Sequence, residues 1–111
     1  MINYKDFLKL DIRVGLVKTC EEIPNSRNLY LLKVDCGEDF LREIVSGISQ
    51  YYTPEELIDQ KIVVLINLQP RKIMGIESQG MLLAADVNNE PFLLKIDERK
   101  GQIVPPGSKI K

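Results

Sequence analysis

Arg71 and Lys72 stand side by side directly after Pro70, inside the stretch Asn67–Met81, NLQPRKIMGIESQGM. A planar guanidinium fork next to a mobile ammonium is suited to gripping phosphate. No acid occurs between Ile62 and Ile76, so no close neighbour in sequence neutralises the pair. Pro70 restricts the backbone in front of them, while Gly75 and Gly80 let another backbone approach closely. Ser78 and Gln79 bring groups that bond phosphate, sugar or an exposed base. Met81 offers a soft face for a base, or packs into a core. Glu77 repels phosphate, so its expected work is to orient Arg71, Lys72 or a backbone amide. Asn67 is placed to cap the same segment internally. The plainer alternative is a long connector with incidental charges.

Other chemistries are poorly supplied. The 111 residues include no histidine, which removes the usual general base near neutral pH, histidine-based triads and HExxH metal sites. Cys20 and Cys36 form no close metal-binding pair, and both sit in strand-like runs, so they read as small buried hydrophobes. No metal and no cofactor is expected, and any catalysis would fall to carboxylates, Lys, Tyr or Cys. A net charge of −1 gives no global attraction for nucleic acid, so an electrostatic footprint must be local. The acids gather at Glu21-Glu22, Glu38-Asp39, Glu55-Glu56 and Asp97-Glu98. No apolar run approaches the roughly 20 residues of a membrane span, and the N-terminus lacks an apolar signal core. A cytoplasmic location with no membrane partner is the expectation.

The elements that must position these residues follow from periodicity. Asn3 and Asp6 mark a short helix, with Phe7, Leu8 and Leu10 packing it down. Leu10–Ile23 alternates, with Leu10, Ile12, Val14 and Leu16 on one face of a strand. Gly15 inside it predicts a bulge or sharp bend. After the turn cluster Pro24–Asn28 come strands over Leu29–Cys36 and Phe40–Ser46, closed by Gly37 and Gly47. Thr53-Pro54-Glu55-Glu56 is a capping box with proline at the first helical position, opening a short helix that plugs one end of a barrel. Lys61–Asn67 is a fourth strand, apolar on both faces. Gly80–Val87 is a fifth, followed by a turn at Asn88-Asn89-Glu90 and a further strand over Phe92–Ile96.

Three strands, a short helix and two strands is the order of the OB-fold, a five-stranded partly open barrel. The expected class is therefore all-β with short helices: one domain, residues 1–111, with an N-terminal helix and a C-terminal extension. In that fold the loops between strands one and two and between strands four and five flank one binding face. Here they are Glu21–Asn28 and Leu68–Gln79. Asn25 and Arg27 enter the candidate binding set from the first loop, against plain turn chemistry as the alternative. Arg42 and Lys33, on strands three and two, border the groove, or are exposed strand cations; Arg42 would then pair with Asp35 or Glu43. Arg13 is either a ligand contact or a salt-bridge partner of Asp11 or Asp86. With no Trp, and Tyr30, Phe40, Tyr51 and Tyr52 mostly in or near the core, any nucleic acid would be recognised by shape and backbone rather than by reading of splayed bases.

Several motifs carry a family resemblance. Asp6–Gly15 (DFLKLDIRVG), Arg42–Gly47 (REIVSG), Tyr52–Leu57 (YTPEEL), Asn67–Ala85 (NLQPRKIMGIESQGMLLAA) and the ending Pro106–Lys111 together resemble the structure-specific tRNA-binding domain, over essentially the whole chain. That domain occurs free-standing, as a C-terminal appendix of bacterial methionyl-tRNA synthetases, and in the endothelial-monocyte-activating polypeptide. The resemblance implies an OB-fold homodimer that grips the outside corner of folded tRNA and catalyses nothing. It also implies help to an aminoacyl-tRNA synthetase, methionyl foremost, which a chain of this length would give in trans. The N-terminal helix and C-terminal tail are expected to be free for the dimer contact. Ile23 and Asn28 stand where relatives often carry His and Lys, so the first loop is poorer in polar groups. Small secretion chaperones of similar length share the opening motif but lack the ESQGM segment retained here. Binding of unfolded polypeptide is accordingly the second reading.

Overall fold

The computed structural model describes residues 1–111. Its elements are α1 (Tyr4–Phe7), β1 (Ile12–Glu22), β2 (Tyr30–Asp35), β3 (Arg42–Ser46), α2 (Pro54–Leu57), β4 (Lys61–Leu65), β5 (Arg71–Ile73), β6 (Ile76–Ser78), β7 (Met81–Leu82), β8 (Ala84–Val87) and β9 (Glu90–Leu93). β1 is long enough to serve two antiparallel neighbours. Its first half pairs with β4 and its second half with β2, so it bridges the sheet, ordered β3-β2-β1-β4-β7. This is the expected OB-like barrel, mostly β with short helices and five strands in a nearly closed sheet.

Alternation on β2 and β4 builds the core. Leu32, Val34, Ile44, Ile62, Val64 and Ile66 fill the barrel, joined by Val17, Tyr30 and Cys36. Leu57 of α2, fully buried, is the expected plug, and Thr53 and Glu56 form the expected capping box. Both faces of β4 are buried, as its sequence predicts. Val63 and Leu65 turn outward and, with Ile12, meet Phe7, Leu83, Ile96 and Ile110.

Several expectations need correction. The β-bulge lies between Val17 and Thr19 rather than at Gly15. A Cβ on Gly15 would stand 2.6 Å from a Val34 methyl and 2.9 Å from a Val64 methyl, so this glycine lets β2 and β4 side chains meet across β1. Leu10 precedes β1 and is exposed, as is Leu8; of the three apolar residues given to the N-terminal helix only Phe7 packs. The expected fifth strand is split. β7 stays in the barrel sheet, while β8 leaves it to form a separate hairpin with β9. The turn Asn88-Asn89, with φ of 51° and 69°, suits a two-residue hairpin of the primed type, and it starts β9 earlier than expected. The C-terminal tail is not free. Val14 N–H donates to Ser108 O (2.9 Å), Gly107 N–H to Val14 O (2.8 Å) and Ile110 N–H to Ile12 O (2.9 Å), so the tail covers the first half of β1.

Candidate nucleic-acid interface

The segment expected to be a loop is a β-hairpin. β5 and β6 pair Arg71 with Ser78, Lys72 with Glu77 and Ile73 with Ile76, around a two-residue turn at Met74-Gly75. Both turn residues have positive φ, 53° and 78°, the geometry that matches strand twist. Strand alternation then divides the side chains. Arg71, Ile73 and Ser78 line a small pocket with Val45, Leu68 and Met81. Lys72 and Glu77 are opposite each other on the hairpin, and both are exposed. Arg71 and Lys72 are exposed, and neither is engaged in an ion pair.

The base of the hairpin is fastened to β3 by one backbone bond and two side-chain bonds. Gln79 N–H donates to Glu43 O (2.8 Å), and Glu43 N–H donates to Gln79 Oε1 (2.8 Å). Val45 N–H donates to Ser78 Oγ (3.0 Å), whose hydroxyl donates to Gly80 O (3.2 Å). Ser78 is only 6% exposed, so the hydroxyl expected to meet ligand is spent on closing the barrel. The amide NH₂ of Gln79 makes no hydrogen bond within the chain and remains a donor.

Arg42 is similarly committed. It grips Glu38 in a fork (Nε to Oε1 2.7 Å, Nη2 to Oε2 2.9 Å) rather than Asp35 or Glu43. Its Nη1 donates to Ile66 O (3.2 Å) and Gln79 O (2.9 Å), and the guanidinium lies 5.3 Å from the centre of the Phe40 ring. The Arg42 fork holds the Glu38 carboxyl below the usual range, and Glu38 raises Arg42 in return. Asn67 caps backbone, but that of the chain entering β1: Asp11 N–H donates to its Oδ1 (2.8 Å) and its Nδ2 donates to Lys9 O (2.7 Å). Arg13 takes Asp11 as partner (3.0 and 3.1 Å). Among the aromatics, Tyr30 is buried and Tyr52 half-buried, while Phe40 and Tyr51 are exposed.

The first of the two expected loops leads into β2, whose opening residue, Tyr30, pairs with Ser46 at the end of β3. Asn25 (φ 67°) and Arg27 are exposed there, and the Ser26 hydroxyl donates to Ile23 O (2.7 Å), which is turn chemistry. Lys33 sits on the outer face of β2 opposite Glu43. None of these three candidates, Asn25, Arg27 or Lys33, lines the hairpin pocket, whereas Arg71, Ser78 and Met81 share it.

The family model "Putative tRNA binding domain" matches residues 12–108. The chain belongs to that tRNA-binding domain family. The methionine–tRNA ligase of Thermotoga maritima is 49% identical over 109 residues, 98% of this chain and 16% of the relative. That of Methanosarcina mazei is 51% identical over 86 residues, 78% of this chain and 12% of the relative. The chain thus spans a small fraction of the length of the curated relatives it matches. Among solved structures, a MetRS-related protein from Pyrococcus horikoshii is 37% identical with a TM-score of 0.89, covering 100% of this chain and 98% of that one. The chaperone CsaA from Bacillus anthracis is 33% identical with a TM-score of 0.84, covering 100% and 99%.

Within this family member, Leu68, Gln69, Val45 and Ile73 are pocket residues that sequence reasoning missed. The sequence offers only a weak signal for them: Ile73 and Ile76 flank Met74-Gly75, but Met74 stands where asparagine or aspartate marks such a turn. Burial pushes both thiols, Cys20 and Cys36, up to about 11, so neither is a thiolate at neutral pH. No cluster of three His, Cys, Asp or Glu side chains is placed to hold a metal, and no helix is long and apolar enough to cross a membrane.

Proposed function

We propose that this protein binds folded tRNA through its phosphate backbone, without catalysing a reaction. The observation that carries the reading is the β5–β6 hairpin, which presents unpaired Arg71 and Lys72 on a base fixed to the barrel. Gln79 adds an amide donor, and Asn25, Arg27 and Lys33 add weaker contacts from the neighbouring loop and β2. Ser78, Arg42 and Asn67 serve by positioning backbone. The lack of histidine supports a non-enzymatic role.

The protein acts in the cytoplasm as a homodimer, assisting an aminoacyl-tRNA synthetase, methionyl foremost, in trans. Exposed Tyr4, Leu8 and Leu10 at the N-terminus, and Val87, Phe92 and Leu94 at the β8–β9 hairpin, support a partner surface. Sedimentation as a monomer that still binds tRNA tightly counts against the dimer.

The deciding experiment is a filter-binding titration of bulk tRNA, duplex DNA and an unfolded protein at two salt concentrations. The expected result is preference for tRNA with strong weakening by salt. Salt-independent capture of the unfolded protein, with tRNA ignored, overturns the reading in favour of a chaperone. The likeness to the solved chaperone is the specific observation behind that second possibility.

A further inference from the structure

The pocket between the β5–β6 hairpin and β3 has a composition that backbone recognition alone does not require. Its apolar lining is Val45, Leu68, Ile73 and Met81, and its polar side chains include Arg71 and Gln69. Leu68 and Met81 are each 43% exposed, so apolar surface is left open beside an unpaired cation. The buried polar side chain of the lining, Ser78, is not free to read a ligand. The Ser78 hydroxyl is used twice, by Val45 N–H and Gly80 O. A ligand that fits must bring a flat or apolar portion and, next to it, a negative charge for Arg71. Lys72 follows immediately, and no acid precedes Glu77 back to Ile62. An apolar peptide side chain satisfies the first requirement and leaves the cation without purpose. A nucleotide satisfies both.

We propose that this pocket takes one unpaired nucleobase by its faces, between Leu68 and Met81, while Arg71 holds an adjoining phosphate. The inference rests on the RNA-binding reading and sharpens it: one base is held by its faces with little reading of its identity, because the buried Ser78 hydroxyl is already spent and the uncommitted Gln69 amide is exposed to solvent. The thioether and leucine methyls supply a sequence-tolerant contact of the kind aromatic platforms give elsewhere.

Two measurements test it. In the first, the four nucleoside 5′-monophosphates and ribose 5-phosphate are titrated into methyl-labelled protein. All four nucleotides are expected to shift the methyl resonances of Met81, Leu68 and Val45 by ring current, and ribose 5-phosphate is expected to leave them in place. In the second, Leu68→Ala/Met81→Ala is titrated with tRNA. Because both side chains are half-exposed, the variant keeps its fold; affinity is expected to fall about fivefold with the salt slope unchanged. Methyls unmoved by every nucleotide, or a double variant that binds tRNA like the parent, overturns the pocket while the RNA-binding reading stands. Shifts from one base alone overturn the identity-blind contact. A parent protein that binds no tRNA removes the broader reading, and failure of the nucleotides in that case removes the pocket too.

Discussion

The guanidinium of Arg42 is occupied by Glu38, by two backbone carbonyls and by the Phe40 ring, whereas that of Arg71 is exposed and unpaired. The two arginines should therefore separate in experiment. Arg71→Ala/Lys72→Ala is expected to weaken binding of all tRNAs alike and to flatten the salt dependence by about 1.5 units, with thermal stability retained. Arg42→Met is expected to lower stability by about 2 kcal/mol in urea titration, because it strands the Glu38 carboxylate and two carbonyls. Ser78→Ala leaves the buried Val45 N–H without its acceptor and is expected to cost about 1–2 kcal/mol by the same measurement. Residue type alone could not divide these roles. Arg42 and Arg71 are both cations beside apolar strands, and what separates them is that the chain brings Glu38 back to one and leaves the other bare.

At the scale of elements, the sequence announced whatever periodicity and capping control. The order of the five barrel strands, the helix opened by Thr53 and the double burial of β4 were all readable. The divided fifth strand was not, because Met81–Val87 is apolar enough to continue and only the turn at Asn88-Asn89 draws β8 toward β9. Nor was the β5–β6 hairpin, because its turn uses Met74 where asparagine is the usual choice. That departure gives a prediction. Met74 holds φ of 53°, a region costly for a residue of its kind, so Met74→Asn is expected to raise stability by several tenths of a kcal/mol. Gly75→Ala (φ 78°) is expected to lower it by about 1 kcal/mol, each read from the thermal midpoint.

For the whole molecule, two clasps keep distant segments together. Arg42–Glu38 ties the chain before β3 to the carbonyls of Ile66 and Gln79, and Asp11 holds Arg13 and, at 3.5 Å, Lys109 of the tail. Hydrogen bonds from Arg13 and Arg42 lower the Asp11 and Glu38 carboxyls from their ordinary values of 3.8 and 4.5. The unfolded chain thus binds these protons more readily. Their contribution to stability is complete above the ordinary values and disappears as pH falls through the lowered folded values. The urea midpoint is expected to hold level down to about pH 5 and to drop below it, with a smaller drop in Arg42→Met. The join between β3 and the base of the hairpin has a different consequence. Two of its bonds depend on the side chains of Gln79 and Ser78, which can rotate away without a strand being pulled from its neighbour. The barrel thus owns a latch, and it lies beside the exposed Arg71 and Lys72. Deuterium should enter the Glu43 and Val45 amides sooner than those of β2, and bound tRNA should slow that entry: occupancy would be recorded as a latch that stays shut.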